Sequence, residues 1–77
     1  FGKLDTRLAE YLLRRSDAQT GTLNMTHQEL AVELGSSREV VSRLLKEWER
    51  QGLLELRRGS VRIVDHEGIT RVTDERD

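Results

Sequence analysis

A mainly α domain with a small β wing, built as a three-helix core plus a β-hairpin in the winged helix-turn-helix arrangement, is what this 77-residue sequence predicts. Three observations predict it. Two helix-start signatures stand ten residues apart with Leu34-Gly35 between them, so a short helix must turn sharply into a second one. Apolar residues recur at three- and four-residue intervals on both sides of that turn. Two short β-prone runs follow, joined by Arg58-Gly59-Ser60, a sequence suited to a tight hairpin.

The elements follow in order from local chemistry. Leu4, Leu8, Tyr11 and Leu12, with Ala9 beside them, share one helical face and predict a first helix over 4–15. Residues 16–22 are polar and contain Gly21, which reads as a loop, and Leu23-Asn24-Met25 alternates like a very short strand. Thr26-His-Gln-Glu29 and Ser36-Ser-Arg-Glu39 each set a hydroxyl three residues ahead of a glutamate. Each is a capping box, in which the hydroxyl accepts from the third amide while the carboxylate reaches back to the cap amide. The first predicts a short helix over 26–33 that stops at Leu34-Gly35. The second predicts a helix over 37–50, with Val40, Val41, Leu44, Leu45 and Trp48 as its buried stripe. Gln51-Gly52 ends it, and the runs 53–57 and 61–64 form the wing. Asp65 caps a final helical turn leading through Ile69 towards Val72, and 73–77 reads as a solvated tail. The organisation expected is one domain over 1–72, with the helix-turn-helix at 26–50 and the wing at 53–64.

Composition narrows the function classes. With 35% hydrophobic residues and no cysteine, stability must come from packing, because neither a disulfide nor a thiolate metal site is available. His27 and His66 are the only histidines and are expected to face solvent rather than ligate a metal. No apolar run approaches a membrane span, so a cytoplasmic location without membrane contact is expected. The chain opens at Phe1 without an initiator methionine, which suggests a fragment. Net charge is −1, but residues 65–77 hold five of the 14 acids and two of the 13 bases, leaving 11 bases against 9 acids elsewhere. Groove readers need local basic patches more than a basic total. With no Cys nucleophile, no glycine-rich phosphate loop and no Ser, His and acid grouping, catalysis is not expected.

The positions left facing outward near the start of the second helix of the pair are Arg38, Glu39, Ser42, Arg43 and Lys46. A helix-turn-helix puts that part of its second helix in the DNA major groove. Arg38 can donate twice to guanine O6 and N7, Glu39 can accept from the cytosine amino group, and Arg43 lies four residues beyond Glu39 on the same face. A glutamate facing a polyanion needs a specific donor or a neighbouring arginine to pair with, which favours base reading over general adhesion. Ser42 is the accessory member of that base-reading set. Phosphate contacts are expected from Thr26, Gln28, Ser37 and Lys46, and from Arg57 and Arg58 at the wing tip.

Thr26-His-Gln-Glu-Leu-Ala, Leu34-Gly-Ser-Ser-Arg-Glu-Val-Val-Ser-Arg-Leu-Leu-Lys and Gly52-Leu-Leu-Glu resemble the C-terminal domain of Crp/Fnr-type bacterial transcription regulators, over about residues 4–72. The resemblance implies a homodimer on a palindromic double-stranded DNA site, with RNA polymerase as a further partner. It also implies an upstream sensor domain, absent from this chain, that answers to a signal such as a cyclic nucleotide, oxygen or nitric oxide. No cofactor is expected in the fragment itself. The rival reading is a winged helix used for protein association, which would expose an apolar patch where a DNA reader needs open, unpaired Arg38, Arg43 and Lys46. A DNA reader of another winged-helix family would change the sensor and leave the chemistry.

Overall fold

The computed structural model describes residues 3–74. The chain runs α1 (Lys3–Arg15), β1 (Thr22–Leu23), α2 (His27–Leu34), α3 (Arg38–Arg50), β2 (Leu54–Arg57), β3 (Ser60–Ile63) and α4 (His66–Asp74). In α1 the predicted stripe is the buried one: Leu8, Ala9 and Leu12 are fully buried, Tyr11 nearly so, and Leu4 packs at the margin. Asp5 in its first turn and Arg14 and Arg15 in its last complement the helix dipole. The Asp17 carboxylate then accepts from the amides of Gln19 and Thr20 at 2.8 and 2.9 Å, closing the loop. Those bonds, Thr20's first, hold the Asp17 carboxyl below the usual carboxylate range.

Thr26 caps α2 with the predicted box: its hydroxyl accepts from Glu29 N, and the Glu29 carboxylate accepts from Thr26 N at 2.8 Å. Gly35, at φ 66°, closes α2 in a Schellman arrangement. Its N–H reaches Val32 O at 3.3 Å and the Ser36 N–H reaches Ala31 O at 2.9 Å. That glycine conformation reverses the chain tightly enough for α3 to begin at Arg38. The same pair of bonds ends α3, from Gly52 to Glu49 O and from Leu53 to Trp48 O.

The strands make one antiparallel sheet in the order β1-β3-β2. Pairing of Leu54 with Ile63 and of Arg57 with Ser60 leaves Arg58-Gly59 as the hairpin loop. Both wing strands start one residue away from expectation, and Val64, expected in the second, is exposed. The short strand is also displaced: it covers Thr22–Leu23 rather than residues 23–25, pairing Thr22 with Arg62 and Leu23 with Val61. The reason is the bond from Ile63 N to Gly21 O at 2.8 Å, which starts the pairing early, and the turn from Met25 N to Leu23 O, which ends it.

Leu8, Leu12, Leu30, Val41, Leu45, Trp48, Val61 and Ile69 are the fully buried centre of one core to which every helix contributes. Each large side chain buried there contributes roughly 1.5–3 kcal/mol from water exclusion. Two members of the predicted α3 stripe are only half-buried, Leu44 at the core margin and Val40 outside it, because the face turned to the core is Val41, Leu45 and Trp48. α4 is longer than a single turn. Asp65 begins it by accepting from Gly68 N at 3.0 Å, and Ile69 and Val72 bury it in the core beside α1. It therefore carries Thr73 and Asp74, expected in the tail, while 75–77 lie outside the described residues.

Candidate nucleic-acid interface

The capping of α3 sets the geometry of its outer face. Ser37, in extended backbone at φ −95° and ψ 153°, is the N-cap, and its hydroxyl accepts from Val40 N at 3.2 Å. The box expected from Ser36 and Glu39 does not form. Ser36's amide closes α2, so the cap passes to Ser37, whose third residue is Val40 and not a glutamate. Glu39 is thereby released from any capping duty.

Arg38, Glu39, Ser42, Arg43 and Lys46 line one shallow concave patch along the first half of α3. Spacing of four residues stacks Arg38, Ser42 and Lys46 in one row and Glu39 with Arg43 in the next. Arg38, Glu39, Arg43 and Lys46 are exposed, and none of the four forms an ion pair or hydrogen bond with another described side chain. The acids further along α3 are differently placed. Glu47 is engaged by Arg50 and Gln51, which hold its carboxyl at about 2.

Ser42 differs from its neighbours. It is half-buried, and its Oγ lies 2.8 Å from Nδ1 of His27, the first residue of α2. His27 is half-buried too, against the expectation that it faces solvent, because the start of α2 leans on the second turn of α3. Half-burial first, then the charges of Lys46 and Arg38, hold its imidazole below the ordinary value. Thr26 and Gln28, the sequence neighbours of His27, and Ser37, which precedes Arg38, are exposed but are not among the residues that line the patch.

In the wing, Glu55 sits opposite Arg62 and accepts from it at 3.1 Å while also meeting Arg57 at 3.5 Å. The two arginines, Arg62's bond first, hold the Glu55 carboxyl below its ordinary value. Arg57, expected at a phosphate, is thus shared with Glu55, whereas Arg58 is exposed at the hairpin tip and unpaired among the described residues. Glu49 on α3 accepts from the Leu56 amide at 3.0 Å and joins the helix to the wing. The expected three-residue turn over 58–60 would set Glu55 opposite Ile63; the observed two-residue Arg58-Gly59 loop moves it opposite Arg62. Neither His27 against Ser42 nor Glu49 against Leu56 has a sequence signal, since both depend on how elements cross.

A helix-turn-helix with a paired hairpin, its second helix presenting an open cationic and acidic row, defines the winged helix-turn-helix class. Residues 6–72 match the Crp-like helix-turn-helix domain, and the chain belongs to that family. The transcriptional regulator SdrP of Thermus thermophilus is 30% identical over 81 residues, covering 96% of this chain. A solved transcriptional regulator of the Crp/Fnr family from Eubacterium rectale superimposes with a TM-score of 0.86 at 35% identity over 95% of this chain. A second solved regulator of that family, from Thermus thermophilus, gives 0.85 at 30% identity over 97%. The chain spans 40% of SdrP and 34% and 42% of the two solved chains.

Proposed function

We propose that this chain binds double-stranded DNA sequence-specifically, with α3 in the major groove, as the DNA-binding part of a transcription regulator acting in the cytoplasm. The observation that carries the reading is the unpaired row of Arg38, Glu39, Arg43 and Lys46 on the first half of α3. Arg38 and Arg43 read guanine edges, Glu39 accepts from a cytosine amino group, and Ser42 adds a single contact beside them. Thr26, Gln28, Ser37 and Lys46 fix the register on phosphates, and Arg58, with Arg57 once it leaves Glu55, holds the flanking backbone through the wing. A docking module would expose an apolar patch instead. Among the described residues the large apolar side chains that stand exposed are Val32 and Val64, which do not line the α3 patch.

Membership of a family of regulators supports two further parts of the reading, a homodimer on a palindromic site and contact with RNA polymerase. Selection of bound duplexes from a random DNA pool tests the whole: a recurring half-site rich in G·C pairs is expected, and an absence of any motif would sink it. Arg38→Ala is expected to cost about 1–3 kcal/mol and relax one G·C position, whereas Lys46→Ala weakens all sequences alike. Equal loss on every sequence for Arg38→Ala would remove that residue from base reading.

A further inference from the structure

We propose that His27 sets the base preference of the interface through Ser42, by accepting the Ser42 hydroxyl hydrogen at Nδ1 and leaving the Ser42 oxygen to face the groove purely as an acceptor. The inference rests on the DNA-binding reading above and names a residue that reading does not use. A serine hydroxyl on a helix commonly donates to the carbonyl four residues back, as Thr70 does to His66 O at 2.9 Å. Ser42 makes no such bond, and the hydrogen-bonding atom beside it is His27 Nδ1 at 2.8 Å. The other ring nitrogen, Nε2, has no partner among the described residues and is not buried, and in the proposed tautomer it carries the ring's hydrogen toward solvent or an approaching phosphate. Nδ1 is then the ring's acceptor.

Polarity at Ser42 decides what it can read. A hydroxyl whose hydrogen is spent accepts from an exocyclic amino group, adenine N6 or cytosine N4, and is mismatched against thymine O4 or guanine O6 and N7. The charged groups facing the imidazole are Arg38 and Lys46 from α3, and no acid among the described residues acts on it. Both cations oppose a charged ring and keep Nδ1 free to accept. Protonation reverses the arrangement: Nδ1–H donates to Ser42 Oγ, the Ser42 hydrogen turns outward, and the preferred base changes from an amino to a keto edge.

The test is selection from a random duplex pool at pH 7.5 and pH 5.5 with the chain and with Ser42→Ala, His27→Ala and His27→Asn, the last retaining an acceptor oxygen near the Nδ1 position. A preference on the order of tenfold for an amino-bearing base at one half-site position is expected at pH 7.5. It should fall to about twofold or less in Ser42→Ala and His27→Ala at that same position, survive in His27→Asn, and weaken or invert for the unaltered chain at pH 5.5. A motif left unchanged by His27→Ala, or an affinity loss uniform over all sequences, would overturn the role of His27 while leaving the DNA reading intact. No motif from any variant would overturn both.

Discussion

At the scale of single residues the informative side chain is Glu39, which sits at the start of a helix without serving its cap. A carboxylate free of capping duty keeps only its interaction with the helix dipole, so giving it to a partner loosens the helix little. Glu39→Gln is therefore expected to change stability by no more than about 0.5 kcal/mol in urea titration while altering the selected base pair opposite it. A larger destabilisation would mean that the carboxylate holds the fold after all. His27 makes the opposite case, because its neutral form is the one the fold prefers. Its value in the folded chain lies below the ordinary 6.5, so the unfolded chain binds the proton more readily. The stability it contributes is full above that ordinary value and is lost as pH falls through it towards the folded value. Urea midpoints measured at pH 7.5 and pH 5.5 should drop less for His27→Asn than for the unaltered chain, and equal drops would assign the acid loss to other groups. The lowered carboxyls of Asp17, Glu47 and Glu55 act in a separate window, present above the ordinary carboxylate range and lost below it.

At the scale of elements, the turn between α2 and α3 has separable parts. Ser37→Ala should cost about 1 kcal/mol by removing the acceptor for Val40 N, whereas Ser36→Ala, whose amide rather than hydroxyl closes α2, should cost much less. A reversed order in urea titration would restore the cap to Ser36. Gly35→Ala has open space for its Cβ but must hold φ near 66°, so about 1 kcal/mol or somewhat more is expected. The sequence made the pair of helices and their order legible, since hydroxyls, glycines and apolar spacing act over a few residues. The error of one residue in the second cap arose because Ser36 and Ser37 offer equivalent hydroxyls, and only the closure of α2 chooses between them. β1 was half legible for a different reason: its limits are set by Val61 and Arg62, nearly forty residues away. The outer face of α3 was readable because periodicity assigns what a helix hides. The contact of His27 with Ser42 was not, because it follows from the crossing of two helices.

At the scale of the molecule, one small core carries the site. Leu45→Ala, fully buried under the α3 patch, is expected to cost about 2–5 kcal/mol, a large share of what a domain this size possesses. Val64→Ala, on an exposed side chain, should stay within about 0.5 kcal/mol in the same denaturation experiment. Linking two copies covalently should tighten binding to a palindromic duplex by supplying an effective concentration of roughly millimolar, and a titration showing equal affinity for single and linked chains would count against paired half-sites. The bond from the Leu56 amide to Glu49 has a bearing on how this molecule lives among copies of itself. β2 is the outer strand of the sheet, and an outer strand with idle amides is a template for another chain. By occupying one of those amides with a carboxylate from α3, the fold makes that edge a poorer rail for a second copy to pair with.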